Sequence, residues 1–438
     1  MSFATFVLVL LLCIINGNWP GFLGAGAGAR NVQDLPLQWS PESGVAWVRQ
    51  LPGHGQSSPV LWGDRVFVTS VEGPQKDTYH TVCCELATGK EVWRQTLRNS
   101  SPVQNSYYVS RAAPTPVVDD ALVVVLFESG QCAAYSHDGD LLWEQDLGRS
   151  QGPLTAEFGL GASLCQTESQ VYVLLEHDGP SALLALEKQS GNIAWKANRT
   201  PRRSWSSPAV VWFSDRPLIV VSSGGSIDMY DALTGAILAE FDDIGGNTGT
   251  TPIDLGDGSF LVGASPGRSG ENAGPAADSN CLMRIQQIDG RYEMVKQWVA
   301  EGATPTWASP IVHEGLAYWI NRAGVVFAFD AATGDKVYAE RTSQACWATP
   351  FAVGDRIYLF GKEGTVTVLA AGRSFKVLAE NQTWNADTLP AEAPLGEETT
   401  AERRRAAAMF AKPTLYGAAV SPDAFLIRVG NALIKVSE

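Results

Sequence analysis

One pattern recurs along the whole chain and restricts the folds open to it more than any other feature. The unit opens on Ser/Thr-Pro, followed by a short apolar strand, a Gly/Asp turn and a β-branched strand. A third strand then ends near Thr-Gly, and a fourth carries a tryptophan. The first copy occupies 57–70 and 80–97, and the most regular late copy occupies 307–342. Copies start near Pro59, Pro116, Leu164, Pro208, Pro252, Pro310, Pro350 and Ala419, a spacing of about fifty residues that marks a repeat architecture of small sheets. A single four-stranded sheet cannot bury both its faces, so neighbouring copies must stack face to face.

Two further regularities sharpen the unit. A small residue or Asp followed by glycine precedes the fourth strand at Thr88-Gly89, Asp138-Gly139, Ser190-Gly191, Thr234-Gly235, Asp289-Gly290, Thr333-Gly334 and Ala371-Gly372. Glycine supplies the positive φ of a hairpin turn at no steric cost. The fourth strands then bring Trp93, Trp143, Trp195, Leu238, Trp298, Tyr338 and Leu378 to one register, where a large side chain fills the gap between neighbouring sheets.

The eighth copy reaches Glu438 after three strands, whereas 44–51 reads as a fourth strand with no strands of its own before it. Pairing the two leaves no unfinished sheet edge. The expected fold is therefore all-β: a closed eight-bladed β-propeller of four-stranded antiparallel blades over 44–438, its last blade completed by the N-terminal strand. The repeat lacks the Gly-His and Trp-Asp signatures of WD-type rings. The repeat resembles that of the PQQ-like propellers, which include quinoprotein dehydrogenases and BamB-like subunits. The segments NWPGFLGAGAGARN, LPLQWSPESGVAW and LPGHGQSSPVLWGDRVFVTS look like the secreted bacterial single-propeller branch.

The residues 3–15 form an apolar run too short to span a bilayer but suited to a secretory leader. Cleavage is expected after Gly17, with the small-residue stretch ending at Ala29 as the alternative, leaving 18–43 as an extension. The resemblance favours the earlier site, because it places Trp19-Pro20 in the mature chain. These features predict an exported protein, periplasmic or extracellular, with no membrane span and monomeric. A formal charge of −14 disfavours a nucleic-acid backbone as partner.

Alternation of strand direction puts the links between blades, and the turns from second to third strands, on one face, here called the top. The long segments 98–111, 148–160, 266–280 and 383–413 all fall there, and loops that lengthen on one face mark it as the binding face. Within the last, Thr399 and Glu402 have capping-box spacing for a short helix. It either lies over the top rim or only covers the closure blade.

Three residues before each unit start stand Gln56, Ala113, Gly161, Trp205, Gly249, Trp307, Trp347 and Tyr416. The four aromatics define an expected funnel for a flat ligand, a sugar ring or an apolar peptide side chain, with Arg203, Arg202 and Arg322 nearby for an anion. The competing reading packs the same tryptophans between blades. Cys83-Cys84 matches quinoprotein alcohol dehydrogenases in residue type only, since it sits inside a strand, where successive side chains point to opposite faces. Of the five histidines, His54, in the 53–58 turn at the top, is the one candidate, with a plain turn residue as the competing reading. No zinc spacing, nucleophile elbow or P-loop occurs. The expected function is a binding or scaffold module presenting its top face to a protein, peptide or glycan, with no catalytic residue, metal or cofactor. The alternative is a quinoprotein oxidoreductase using pyrroloquinoline quinone and calcium.

Overall fold

The computed structural model describes residues 17–24, 32, 35–267, 269–393, 395–410 and 415–438. The leader, and the alternative cleavage site near Ala29, lie outside these residues, except for Gly17. The strands form eight four-stranded sheets. First strands of adjacent sheets touch one another, so they line a central axis and the sheets radiate as blades. The inner strands are short, as in Val60–Trp62 and Val117–Val118, and the outer ones long, as in Arg291–Val299. The last blade is Leu415–Val420, Ala424–Val429, Ala432–Ser437 and, as its fourth strand, Val45–Gln50. Val45 pairs antiparallel with Val436 and Gln50 with Ala432.

The Ser/Thr-Pro signature has a structural cause. Proline sits just before an inner strand, where no ladder N–H is required. The hydroxyl before it bonds to the neighbouring blade: Ser58 N donates to Thr115 Oγ1 (3.0 Å), Thr115 N to Ser163 Oγ (3.0 Å) and Ser163 N to Ser207 Oγ (2.8 Å). The chain of bonds continues from Ser207 N to Thr251 Oγ1 (3.1 Å), Thr251 N to Ser309 Oγ (2.9 Å) and Ser309 N to Thr349 Oγ1 (2.9 Å). Seven blades are thus stitched together around the axis. In the eighth, Ala418 has no hydroxyl to offer. There Arg428 reaches across to donate to the Thr69 carbonyl of the first blade.

Each blade sends alternate side chains to opposite neighbours. In the first, Val66, Val68, Val82 and Cys84 join the core toward the eighth blade, and Phe67, Val71, Tyr79 and Cys83 the core toward the second. The fourth-strand tryptophans lie flat on the glycine turns of the next blade. A Cβ on Gly139 would come within 2.8 Å of Trp93, on Gly191 within 2.5 Å of Trp143, on Gly235 within 2.4 Å of Trp195, and on Gly334 within 2.6 Å of Trp298. The indole N–H groups donate to the same turns, from Trp93 to His137 O (2.8 Å), Trp143 to Lys188 O (2.6 Å), Trp195 to Ala232 O (2.9 Å) and Trp298 to Ala331 O (3.2 Å). Trp47 of the closing strand repeats the contact on the first blade, donating to Leu86 O (3.2 Å) against Gly89. The ring therefore closes with the same joint it uses elsewhere.

Where the tryptophan is replaced by Leu238 or Tyr338, a Cβ on the facing Gly290 or Gly372 meets nothing within 4 Å. Leu378 leaves the gap between the seventh and eighth blades, and Trp39 of the N-terminal extension occupies it. Its Nε1 donates to Thr383 Oγ1 (2.9 Å), and its ring packs against Tyr358 and Phe425. Earlier in the extension, Trp19 bridges to Leu61 by two 2.9 Å backbone bonds, and Val118 N donates to Pro20 O (2.9 Å). Trp19, Phe22 and Leu23 meet Ile253, Ile311 and Phe351 around a pocket of about 20 Å³, room for about one water. The axis is thus floored by the chain's own N-terminal segment.

Candidate binding site at the top face

The four long segments emerge on one face, as antiparallel alternation requires. Most of the last, between Val377–Gln382 and Leu415–Val420, is described and carries a helix, Ala401–Phe410. Its N-cap is Thr400, whose Oγ1 accepts from Arg403 N (3.1 Å). The cap therefore lies one residue beyond the expected Thr399, whose carbonyl accepts from Arg404 Nη1 (3.2 Å).

This insertion is a lid. Glu392 forms an ion pair with Arg111 and lies 3.0 Å from His54 Nδ1. Gln104 Nε2 donates to Glu397 O (3.0 Å), and Arg403 lies 5.1 Å over the Tyr108 ring. At the helix C-terminus, Phe410 meets the Trp347 ring edge-on at 5.4 Å and Trp307 at 6.4 Å. Lys362 Nζ donates to Met409 O (2.6 Å) and caps the Trp347 ring at 4.5 Å. The anchors come from the connection between the first two blades and from the sixth and seventh, so the lid spans the ring and covers more than the closure blade.

The expected funnel divides under it. Trp307 and Trp347 come together at 4.5 Å, with Trp347 only 7% exposed. Trp205 stands apart, 37% exposed, in a row with Phe158 (5.7 Å) and Tyr108 (5.1 Å). Arg203 is held by Asp178 (2.8 Å) and Glu157 (2.9 Å), and Arg202 by Ser223 O and Ser226 Oγ. Gln56 exchanges hydrogen bonds with the Arg111 backbone (2.8 and 3.0 Å), and Arg322 N donates to Thr306 Oγ1 (3.3 Å). Tyr416 begins the eighth inner strand, but its side chain lies outside the described residues. Sequence reading missed Phe410, Phe158, Tyr108, Glu392 and Lys362, most of them on insertions that share no register with the repeat.

The Glu392 carboxylate lies beside the buried His54 ring, with the Arg111 guanidinium on the same carboxylate. Burial, with Arg111 alongside, pushes His54 down to about 4 despite that carboxylate. Burial works against Glu392, yet the His54 ring and the Arg111 charge hold it below the usual carboxylate range. Between pH 6.5 and about 4 the unfolded chain binds a proton on His54 that the folded chain does not, so stability falls as pH falls through that window. The expected loss is about 3 kcal/mol, with Glu392 acting in the same direction further down. Urea unfolding at the two ends of the window should show a smaller loss for His54→Gln than for the native chain; equal losses would contradict the assignment.

Cys83 and Cys84 are free and fully buried in separate inter-blade cores, and burial pushes their thiols up to about 12 and about 11. Among the described residues no group of three or more His, Cys, Asp or Glu side chains could hold a metal ion. Cys83 and Cys84 point into different cores rather than toward a shared site at the top.

The family model described as outer membrane protein assembly factor BamB matches residues 36–163 and 81–262, together just over half of the chain. The crystal structure of BamB from Moraxella catarrhalis superimposes with a TM-score of 0.59 at 15% identity, covering 90% of this chain and 99% of that one. The computationally designed protein Ika8 gives a TM-score of 0.54 at 12% identity, covering 89% and 98%. A europium-containing methanol dehydrogenase gives 0.44 at 12% identity, covering 83% and 91%. No curated protein matches the chain in sequence. Eight four-stranded blades, tryptophans docked on glycine turns, a last blade closed by the N-terminal strand and the matching family model lead to one conclusion: the chain belongs to the PQQ-like β-propeller family.

Proposed function

We propose that this chain is an exported binding propeller that engages a protein partner through its top face, without a quinone cofactor. The observation that carries the reading is the gathering of all long connections, the lid and the exposed Trp205 on that one face, while the floor of the axis is occupied by residues 17–24. The matched family description names an assembly factor for outer membrane proteins, which supports a scaffold role in a cell envelope. No helix among the described residues is long and apolar enough to cross a membrane. Asn18 Oδ1 accepts from Gly63 N (2.8 Å) and Trp19 is buried, so leader cleavage just before Asn18 would retain these contacts and cleavage after Ala29 would remove them.

The test is site-specific photo-crosslinking in intact cells. A photoreactive residue at Tyr107 or Arg405 on the top should yield one discrete adduct, and the same residue at the exposed Leu233 on the opposite face should not. Equal labelling from both faces, or none from the top, would reject the reading. Intact mass of the adduct-free protein should place the mature N-terminus at Asn18.

A further inference from the structure

We propose that the exposed corner formed by Trp205, Arg203, Asp178 and Glu157 is a subsite for a neutral pyranose ring of a glycan. The proposal deepens the reading of the top face as the working face and rests on it.

Trp205 is the only tryptophan among the described residues that reaches 37% exposure. Its surroundings hold it still. Trp205 N donates to Thr248 O (2.7 Å), Phe158 packs beside the indole, and a Cβ on Gly161 would approach the ring to 2.9 Å. The glycine thus gives the indole a close seat against the backbone of the neighbouring connection. A fixed aromatic surface of this kind loses little conformational freedom when a flat, C–H-lined face settles on it.

Arg203, two residues before Trp205, and Glu157, next to Phe158 in the chain, belong to a polar network that is both exposed and pinned. Arg203 Nε donates to both Asp178 oxygens (2.8 and 3.1 Å), and Nη1 donates to Glu157 Oε2 (2.9 Å). The three side chains are 54%, 41% and 40% exposed. A guanidinium has five N–H donors, and these bonds use two of them, so donors and carboxylate lone pairs stand side by side in this network. Sugar hydroxyls are donors and acceptors at once, and they match such a mixed edge. An anionic ligand matches it poorly, because two carboxylates flank the single guanidinium. An apolar peptide side chain would cover charged groups without replacing their hydrogen bonds with water.

The experiment is saturation-transfer-difference NMR on the full chain with maltohexaose, cellohexaose and chitohexaose as probes, each raised to about 10 mM. Ring C–H protons of at least one probe should receive saturation. Trp205→Ala should weaken that binding at least about tenfold and Asp178→Asn by a few-fold, while Leu233→Ala, on the opposite face, should leave it unchanged. A cooperative melting transition should show that the Trp205→Ala variant still folds. The absence of transfer from all three probes, or transfer that survives Trp205→Ala in a folded protein, would overturn the glycan subsite. Failure here alongside a top-face protein adduct removes the glycan subsite alone; loss of the adduct removes the protein-scaffold reading.

Discussion

Trp143→Ala should lower the folding free energy by about 3–5 kcal/mol, the range for truncating a large buried aromatic side chain. The residue is 8% exposed, packs in the core between the second and third blades, and donates to Lys188 O across the joint. Truncation opens a void and strands a carbonyl in the same step. Glycine substitutions separate this docking from backbone strain. Gly191 and Gly290 both hold positive φ, at 70° and 80°, so alanine at either carries a left-handed cost of about 1–2 kcal/mol. At Gly191 the new Cβ would also lie 2.5 Å from the Trp143 ring, whereas at Gly290 it meets nothing within 4 Å. Gly191→Ala should therefore cost clearly more than Gly290→Ala. Chemical denaturation midpoints and slopes for the three variants check this, and equal effects of the two glycine variants would refute docking as the joint.

Arg199→Met should be comparably damaging, about 3–5 kcal/mol, because it leaves buried charges without their partner. Arg199 Nε lies 2.8 Å from Glu176 Oε1 and Nη1 lies 2.7 Å from Asp228 Oδ2, with the side chains at most 6% exposed. Its Nη2 also donates to Ser223 Oγ (3.0 Å), which in turn donates to Glu176 (2.8 Å). The network ties the third blade to the fourth at the top. Adding Glu176→Gln and Asp228→Asn to Arg199→Met should restore part of the lost stability, since neutral amides cost less to bury unpaired than carboxylates. Thermal melts of the single and triple variants give the comparison; a triple variant no more stable than Arg199→Met would contradict the electrostatic account.

The blades were legible because their physics is local and repeated. Proline before an inner strand, glycine at the last turn and an aromatic residue a few positions later each report one short-range requirement, and five to seven copies of each make the pattern unmistakable. Cys83 and Cys84 were legible for the same reason: a strand sends neighbours to opposite faces, and the two thiols indeed lie in different cores. The aromatic positions Trp205, Trp307 and Trp347 were found by register, yet register could not say which would stay exposed. Phe410 settles that by lying on Trp347 and Trp307, from an insertion outside the repeat.

By itself the sequence determined the number of blades, their strand order and the face on which the long segments emerge, since these follow from periodicity and strand alternation. It also identified the closing strand, because an incomplete last unit and an orphan first strand have one economical pairing. Only the tertiary structure decided how the closure is held and what the top presents. Trp39 fills a gap left by Leu378, and Arg428 bridges where Ala418 lacks a hydroxyl. Glu392 fastens the lid through Arg111 and His54. Each joins residues hundreds or tens of positions apart that share no repeat register, and such contacts are set by the closed ring bringing them together rather than by any local preference of the chain.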